Sequence, residues 1–147
     1  MTPIKEVYDA FFVKMLEDDY SDWEENEISQ DLFGLLKGAL PRFKFPRPSL
    51  KIIDNEEEDK CFEGDLEIQE IEILATYMKC EWLNRSILTW ENVKPEYIER
   101  DFSKANLIDK LNNTLAEERK EARRLEAIYY RSVNGKPFNF NKLAGGN

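Results

Sequence analysis

The amino-acid sequence predicts an all-α protein, a small bundle of about four helices with a possible short β-hairpin at about residues 50–63 and an extended C-terminal arm. Apolar residues recur with helical spacing in four separate stretches of the chain. The stretch 71–83 is apolar over so much of its circumference that it needs neighbouring helices on more than one side. A chain of 147 residues with 41% hydrophobic side chains can bury the single core of such a bundle.

The first helix is predicted to begin at Thr2, whose hydroxyl suits the N-cap, with Pro3 at the first helical position. The acidic run 17–19 is expected to end it. Its apolar residues recur with a helical period: Ile4, Val7, Tyr8, Phe11, Phe12, Met15 and Leu16.

Ser21 and Asp22 are predicted to begin the second helix, with Glu24 and Glu25 placed for a capping box with either of them. Pro41 is predicted to end this helix or to come just after its last turn. The basic and aromatic strip 42–48 follows and contains two prolines, which is typical of an extended segment that lies on the bundle surface. Nucleic-acid binding by this strip is an alternative. It is disfavoured because the surrounding half of the chain is strongly acidic.

A short hairpin is predicted to pair residues 50–53 with 60–63, since two short apolar runs flank a charged segment. The four consecutive acids 56–59 could collect a hard cation, but the alternating ligands of a calcium loop are absent and a solvated loop tip is favoured. Cys61 and Cys80, the only cysteines, are expected to be reduced, with a disulfide as the alternative.

The central helix is predicted to run from about 66 to 84, with Asp65 as its N-cap and a kink or loosened turn at Asn84 and Arg85. The last helix is predicted to begin at Asp101 and to extend for roughly thirty residues, about 45 Å. Because that length exceeds the bundle core, its C-terminal half is expected to project or to pack against another subunit. The three tryptophans are interpreted as core or intersubunit packing residues: Trp23, Trp82 and Trp90.

The C-terminal arm, residues 132–147, differs in character from the predicted helical domain, residues 1–131. Residues 136–143 alternate apolar and polar side chains like a single strand without a partner in its own chain. A partner-binding arm is favoured over a self-packed or disordered terminus, since Phe138, Phe140 and Leu143 would otherwise be exposed without use.

Charge is distributed unevenly along the chain. Residues 1–72 have a net charge of −12, from 20 acidic and 8 basic side chains, whereas residues 73–147 have a net charge of +3, from 10 acidic and 13 basic ones. The acidic half argues against DNA binding by the whole chain, and the asymmetry suits head-to-tail packing of identical copies. Solvated faces that keep the protein soluble are the alternative interpretation.

The chain contains no histidine, which excludes histidine-based acid–base catalysis and leaves no zinc-binding signature. The sequence also indicates neither a membrane span nor a secretory signal.

Residues 70–83, residues 35–43, and residues 101–107 with the long charged helix that follows them resemble the head–tail connector (neck or adaptor) proteins of long-tailed bacteriophages. These residues form packing motifs that touch most of the chain. The resemblance implies a small α-helical protein that forms a dodecameric ring beneath the portal. It also implies that the C-terminal arm engages the portal and that DNA passes through the lumen of the ring without being read in sequence.

The leading hypothesis is therefore a structural virion protein of the neck, present in the host cytoplasm during assembly. Its expected partners are the portal protein, other neck or tail-completion proteins and further copies of itself. No catalytic, cofactor-binding or metal-binding residue is predicted, and neither is a membrane contact. The residues predicted to bind the portal or a neighbouring subunit are Tyr129, Tyr130, Arg131, Lys136, Phe138, Phe140, Lys142 and Leu143.

A second hypothesis is an acidic helical regulator or inhibitor that mimics DNA and occupies the basic groove of a DNA-binding protein. The clustered acids of residues 17–31 and 54–59 motivate it. An enzyme is the least favoured class, because the many carboxylates form no recognisable constellation and no nucleophile elbow or phosphate-binding loop is present.

Overall fold

The computed structural model describes residues 1–15, 20–54, 59–92, 101–133 and 136–137, and it confirms a small helical bundle with a short β-hairpin. Pro41 lies in a short 3₁₀ turn, Leu40–Arg42, that directly follows the second helix, as predicted. The helices are α1 (Lys5–Lys14), α2 (Glu25–Ala39), α3 (Ile68–Asn92) and α4 (Asp101–Tyr130).

Helix α3 is the centre of the bundle, as its apolar circumference predicts. Helices α1, α2 and α4 each pack against it. Side-chain contacts run from Tyr77 to Glu126 and from Lys79 to Glu118, so α3 and α4 are antiparallel. The most deeply buried side chains of the main core are Val7, Phe11, Leu36, Phe62, Ile73, Leu74, Met78 and Tyr129.

A second, smaller apolar cluster joins α3 to α4 and explains why α3 continues beyond its predicted end. The predicted kink at Asn84 and Arg85 is wrong, because Ile87 is buried in this cluster and extends the packed face by a further turn. The hydroxyls of Ser86 and Thr89 donate to the carbonyls four residues earlier, which is compatible with a continuous helix. The buried members of this cluster are Cys80, Leu83, Ile87 and Leu115.

The predicted hairpin is present: β2 (Ile52–Ile53) pairs antiparallel with β3 (Cys61–Phe62). The sequence does not reveal that a third strand, β1 (Thr2–Pro3), pairs with the other edge of β3. The prediction of Thr2 as the N-cap of α1 is therefore wrong. Its hydroxyl instead accepts a hydrogen bond from the Leu66 backbone N–H at 2.8 Å, which connects β1 to the segment before α3.

Two other helix starts differ from prediction by a few residues. Helix α2 begins at Glu25 instead of Ser21, because Glu24 and Glu27 form the capping box. Asp65 is not the N-cap of α3; its carboxylate lies 2.5 Å from the N-terminal ammonium group, which lowers the pKa of Asp65.

Helix α4 has 30 residues, in agreement with the sequence, but the expectation that its C-terminal half projects from the bundle is wrong. That half packs within its own chain, since Ala122 and Tyr129 are fully buried there. The helix is followed by two short antiparallel strands, β4 (Ser132–Val133) and β5 (Lys136–Pro137). Residues 136–137 of the predicted strand 136–143 therefore pair within the chain, and the rest of that strand lies outside the described residues.

Candidate functional site

The C-terminal arm, the predicted partner-binding element, leaves the bundle at the end of α4. Eight residues at the end of α4 and in the arm are predicted to bind a partner, and three of them have described side chains, namely Tyr129, Tyr130 and Arg131. Lys136 is placed by its backbone only, in β5. The others lie outside the described residues: Phe138, Phe140, Lys142 and Leu143.

Tyr129 is a core residue, and its assignment as a surface contact to a partner is wrong. Its side chain is 1% exposed, and its ring meets the Phe43 ring edge-on at a centroid distance of 5.3 Å. Burial raises the pKa of the Tyr129 phenol. The aromatic end of α4 therefore closes the core instead of projecting from it.

Arg47 fixes the point at which the chain leaves α4. Its guanidinium donates to the Tyr129 carbonyl oxygen at 2.6 Å and also to the Ser132 carbonyl oxygen. It lies over the Tyr129 ring, 4.2 Å from the centroid. The last carbonyls of a helix lack intrahelical partners and carry partial negative charge, so a cation here stabilises the helix end. Arg47 thereby fixes the position of residues 129–132, which we call the root of the arm.

Glu70, near the start of α3, lies beneath the same residues. It is 2% exposed, and its Oε1 accepts a hydrogen bond from the Tyr129 hydroxyl at 3.5 Å. Within the described part of the chain, Glu70 Oε2 has no hydrogen-bond partner. This buried carboxylate and Arg47 both engage Tyr129, so the start of α3 and the strip 42–48 together hold the end of α4.

An exposed aromatic and basic surface surrounds the root of the arm. Tyr130 is 40% exposed, and its ring contacts the exposed ring of Phe45 edge-on at 6.1 Å. Burial, together with the hydrogen bond to Glu126, raises the pKa of Tyr130 to about 12. Arg131 is exposed beside them. Tyr130 and Arg131 are thus placed where a partner can reach them.

The outward face of α4 is basic along its C-terminal half. Three of its four glutamates are engaged: Glu118 pairs with Lys79 at 2.7 Å, Glu121 pairs with Arg124 at 2.6 Å, and Glu126 accepts hydrogen bonds from two tyrosine hydroxyls. Glu117 is exposed and has no ion-pair partner among the described residues. We define the basic face of α4 by the exposed cations of residues 116–131 that have no ion-pair partner among the described residues. These cations are Arg119, Lys120, Arg123 and Arg131.

A groove of about 600 Å³ lies between α1 and α2, and we call it the α1/α2 groove. Aromatic side chains from both helices line it, including Tyr8 and Phe33. Burial raises the pKa of Tyr8 to about 12. The carboxylates along the groove are Asp9, Glu25 and Asp59, and the cations are Lys5 and Lys60.

The strip 42–48 lies on the bundle, as the sequence predicts, but the sequence alone does not identify Arg47 as the residue that holds α4. The sequence signal that could have identified Arg47 is its position between two prolines, which keep this segment extended along the surface of the helices. Its partner was not identifiable, because the contact joins residues more than eighty positions apart.

Among the described residues, no group of acidic and cysteine side chains is arranged to hold a metal ion, and no helix is long and apolar enough to cross a membrane. Cys61 and Cys80 are both free and buried, in agreement with the expected reduced state. No protein-family model matches the chain, and no curated protein or solved structure matches it either.

Proposed function

We propose that this protein is a structural component of a phage virion neck, a head–tail connector that forms a ring between portal and tail through which DNA passes. The observation that carries the proposal is the charge polarity of the bundle. The basic face of α4 lies on one part of the chain, and the α1/α2 groove, lined by three carboxylates and two lysines, lies on another. A chain with two different complementary surfaces can associate head to tail, and such contacts close into rings.

The location of the connector-like segments supports the same proposal. Residues 70–83 form most of α3, residues 101–107 begin α4, and residues 35–43 cover the end of α2 and the turn after it. These segments build the centre of the bundle. The resemblance therefore concerns the elements that determine the fold.

The mass of the purified chain, alone and mixed with a purified portal ring, tests the proposal. Light scattering gives the mass, and negative-stain imaging gives the shape. We expect rings, either from the chain alone or on the portal. A chain that stays monomeric and does not bind portal rings would overturn the connector assignment.

The arm is tested separately, by two matched variants of the full chain. The first replaces Phe138, Phe140 and Leu143 with Ala, and the second replaces the intervening Asn139 and Asn141 with Ala. We expect the first to weaken portal binding at least about tenfold, because buried aromatic side chains dominate interface energetics. The second should remain within about twofold of the wild type. Equal portal binding by both variants would remove the arm from the portal contact.

An acidic regulator is the second candidate, favoured by one observation at the start of α2. Four exposed carboxylates occur there without an ion-pair partner among the described residues, and a basic groove in another protein could receive them. Such a regulator would bind a DNA-binding protein as a monomer or dimer, so the mass measurement separates the two functions. The four residues are Asp22, Glu24, Glu25 and Glu27.

A further inference from the structure

We propose that α4 of a second copy docks in the α1/α2 groove through its basic face. This inference rests on the proposed ring and names the contact that joins one copy to the next. Three observations support it: the shape of the groove, the length and exposed apolar side chain of the α4 surface, and the charges on both surfaces.

The groove is left open by the way in which α1 and α2 pack. Helix α1 directs Val7 and Phe11 into the core, while Tyr8 and Phe12 line the groove. Phe12 is 41% exposed, which is high for an aromatic side chain. Two neighbouring helices that pack on the same central helix form a channel between their outer ridges, and a third helix fits such a channel.

The outward face of α4 has the dimensions and chemistry of that third helix. Residues 116–131 span roughly 24 Å of helix, at 1.5 Å per residue. Ile128 is 44% exposed near the end of α4, four residues after Arg124 and three before Arg131. In the proposed contact, Ile128 of α4 packs on the aromatic side chains of the groove, and the cations of α4 face the carboxylates of the groove.

The charges of the groove favour a cationic occupant. Asp9, Glu25 and Asp59 are exposed, and none has an ion-pair partner in the part of the chain that the structure describes. Two lysines also line the groove, so its three carboxylates leave a net charge of −1. Lys5 is exposed, and the Lys60 ammonium group lies 3.7 Å from Asp54 and 4.4 Å from the centroid of the Phe33 ring. A single exposed ion pair contributes little, but several pairs formed together steer and orient two copies.

The two surfaces belong to different parts of one chain, so the contact is heterologous. Helix α4 makes its most extensive contact with α3, while the groove lies between α1 and α2. Each copy therefore offers its groove to one neighbour and its α4 to another. A contact of this kind continues from copy to copy and ends only when a ring closes.

Charge reversal on each surface of the full chain provides the test. One variant carries K120E and R123E on α4, and the other carries D9K and E25K in the groove. The control variant, K44E with K51E, has the same change in net charge as the first but reverses exposed lysines outside both surfaces. Self-association is measured by sedimentation over a concentration series, and circular dichroism verifies that each variant is folded.

We expect each surface variant alone to raise the dissociation constant of self-association at least about tenfold, because like charges then face each other. The control should self-associate like the wild type. Mixing the two surface variants should restore association, since the basic α4 of one then meets the acidic groove of the other, and the acidic α4 meets the basic groove.

Three outcomes would overturn this inference: wild-type association by the α4 variant, failure of the mixture to recover, or no self-association of the wild type. If the wild type still forms rings with the portal in any of these cases, the connector proposal stands with a different contact between copies. If the wild type does not self-associate but a variant without residues 138–147 does, the chain's own arm occupies the groove. That result would likewise overturn the proposed docking of α4.

Discussion

The guanidinium of Arg47 donates a hydrogen bond to the Tyr129 carbonyl oxygen at 2.6 Å, while the Arg47 backbone N–H donates to the Tyr129 hydroxyl at 2.8 Å. The two residues are far apart in sequence, and this contact connects the strip 42–48 to the end of α4. Since the arm begins immediately after α4, the pair determines where a partner would encounter it.

Replacement of Arg47 by Ala should lower the free energy of unfolding by roughly 1–2 kcal/mol, because charge-assisted hydrogen bonds and a cation–π contact are lost at a partly exposed site. Urea unfolding of the full chain measures it. Lys44→Ala is the matched control in the same strip, since Lys44 is exposed. Amide hydrogen exchange should also show faster exchange in the last turn of α4 for Arg47→Ala only. An unchanged last turn would contradict the proposed role of Arg47.

Replacement of Asp31 by Asn should destabilise the contact between α2 and α3. Asp31 accepts a hydrogen bond from the Tyr20 hydroxyl at 2.5 Å and is engaged by both terminal nitrogens of Arg85. Loss of the charge should cost roughly 1–2 kcal/mol, because Arg85 is partly solvated and the pair is screened. Asp22→Asn is the control, since Asp22 is exposed. If both variants unfold at the same urea concentration as the wild type, the network is not stabilising.

The helices could be predicted from sequence because their signals are local. The apolar residues of α3 recur within a few turns, and the same periodicity gives the length of α4. The hairpin could be predicted for the same reason, from two short apolar runs that flank a charged segment.

The contacts between distant parts of the chain could not be predicted, because no local pattern reveals which residues meet. Thr2 has the chemistry of an N-cap, but pairing of β1 with β3 uses its hydroxyl elsewhere. Tyr129 has the chemistry of an interface residue, but Phe43 and Glu70 surround it in the folded chain. Local propensity identifies what such a residue can do, and tertiary packing determines which of these options is used.

The Cys80 thiol should react slowly with thiol reagents in the folded protein. Burial, and secondarily the charge of Glu118, raises its pKa to about 11, so the reactive thiolate is scarce near neutral pH. Ellman's reagent applied to Cys61→Ala, which leaves Cys80 as the only thiol, measures this rate. The rate should rise at least about a hundredfold in denaturant, as the thiol regains an ordinary pKa and becomes accessible. A thiol that reacts equally fast in folded protein would contradict its burial.

Alkaline pH should destabilise the fold through its tyrosines. Burial raises the pKa of both Tyr8 and Tyr130 from 10.0 to about 12, and that of Tyr77 is also raised, by burial and by Glu126. The folded state thus binds the phenolic proton more tightly than the unfolded state does. The resulting stability is complete below pH 10, declines above it, and is lost once the pH has risen through about 12.

Urea unfolding at successive pH values measures this loss, and absorbance of the tyrosinate ion follows the titration directly. Each tyrosine should contribute roughly 1 kcal/mol, a value reduced from the full shift because the side chains are partly exposed. Tyr8→Phe provides the matched comparison, since phenylalanine keeps the ring and cannot ionise. It should lose less stability than the wild type between pH 10 and 12. An identical loss in both proteins would mean that Tyr8 titrates as freely in the folded chain as in the unfolded one.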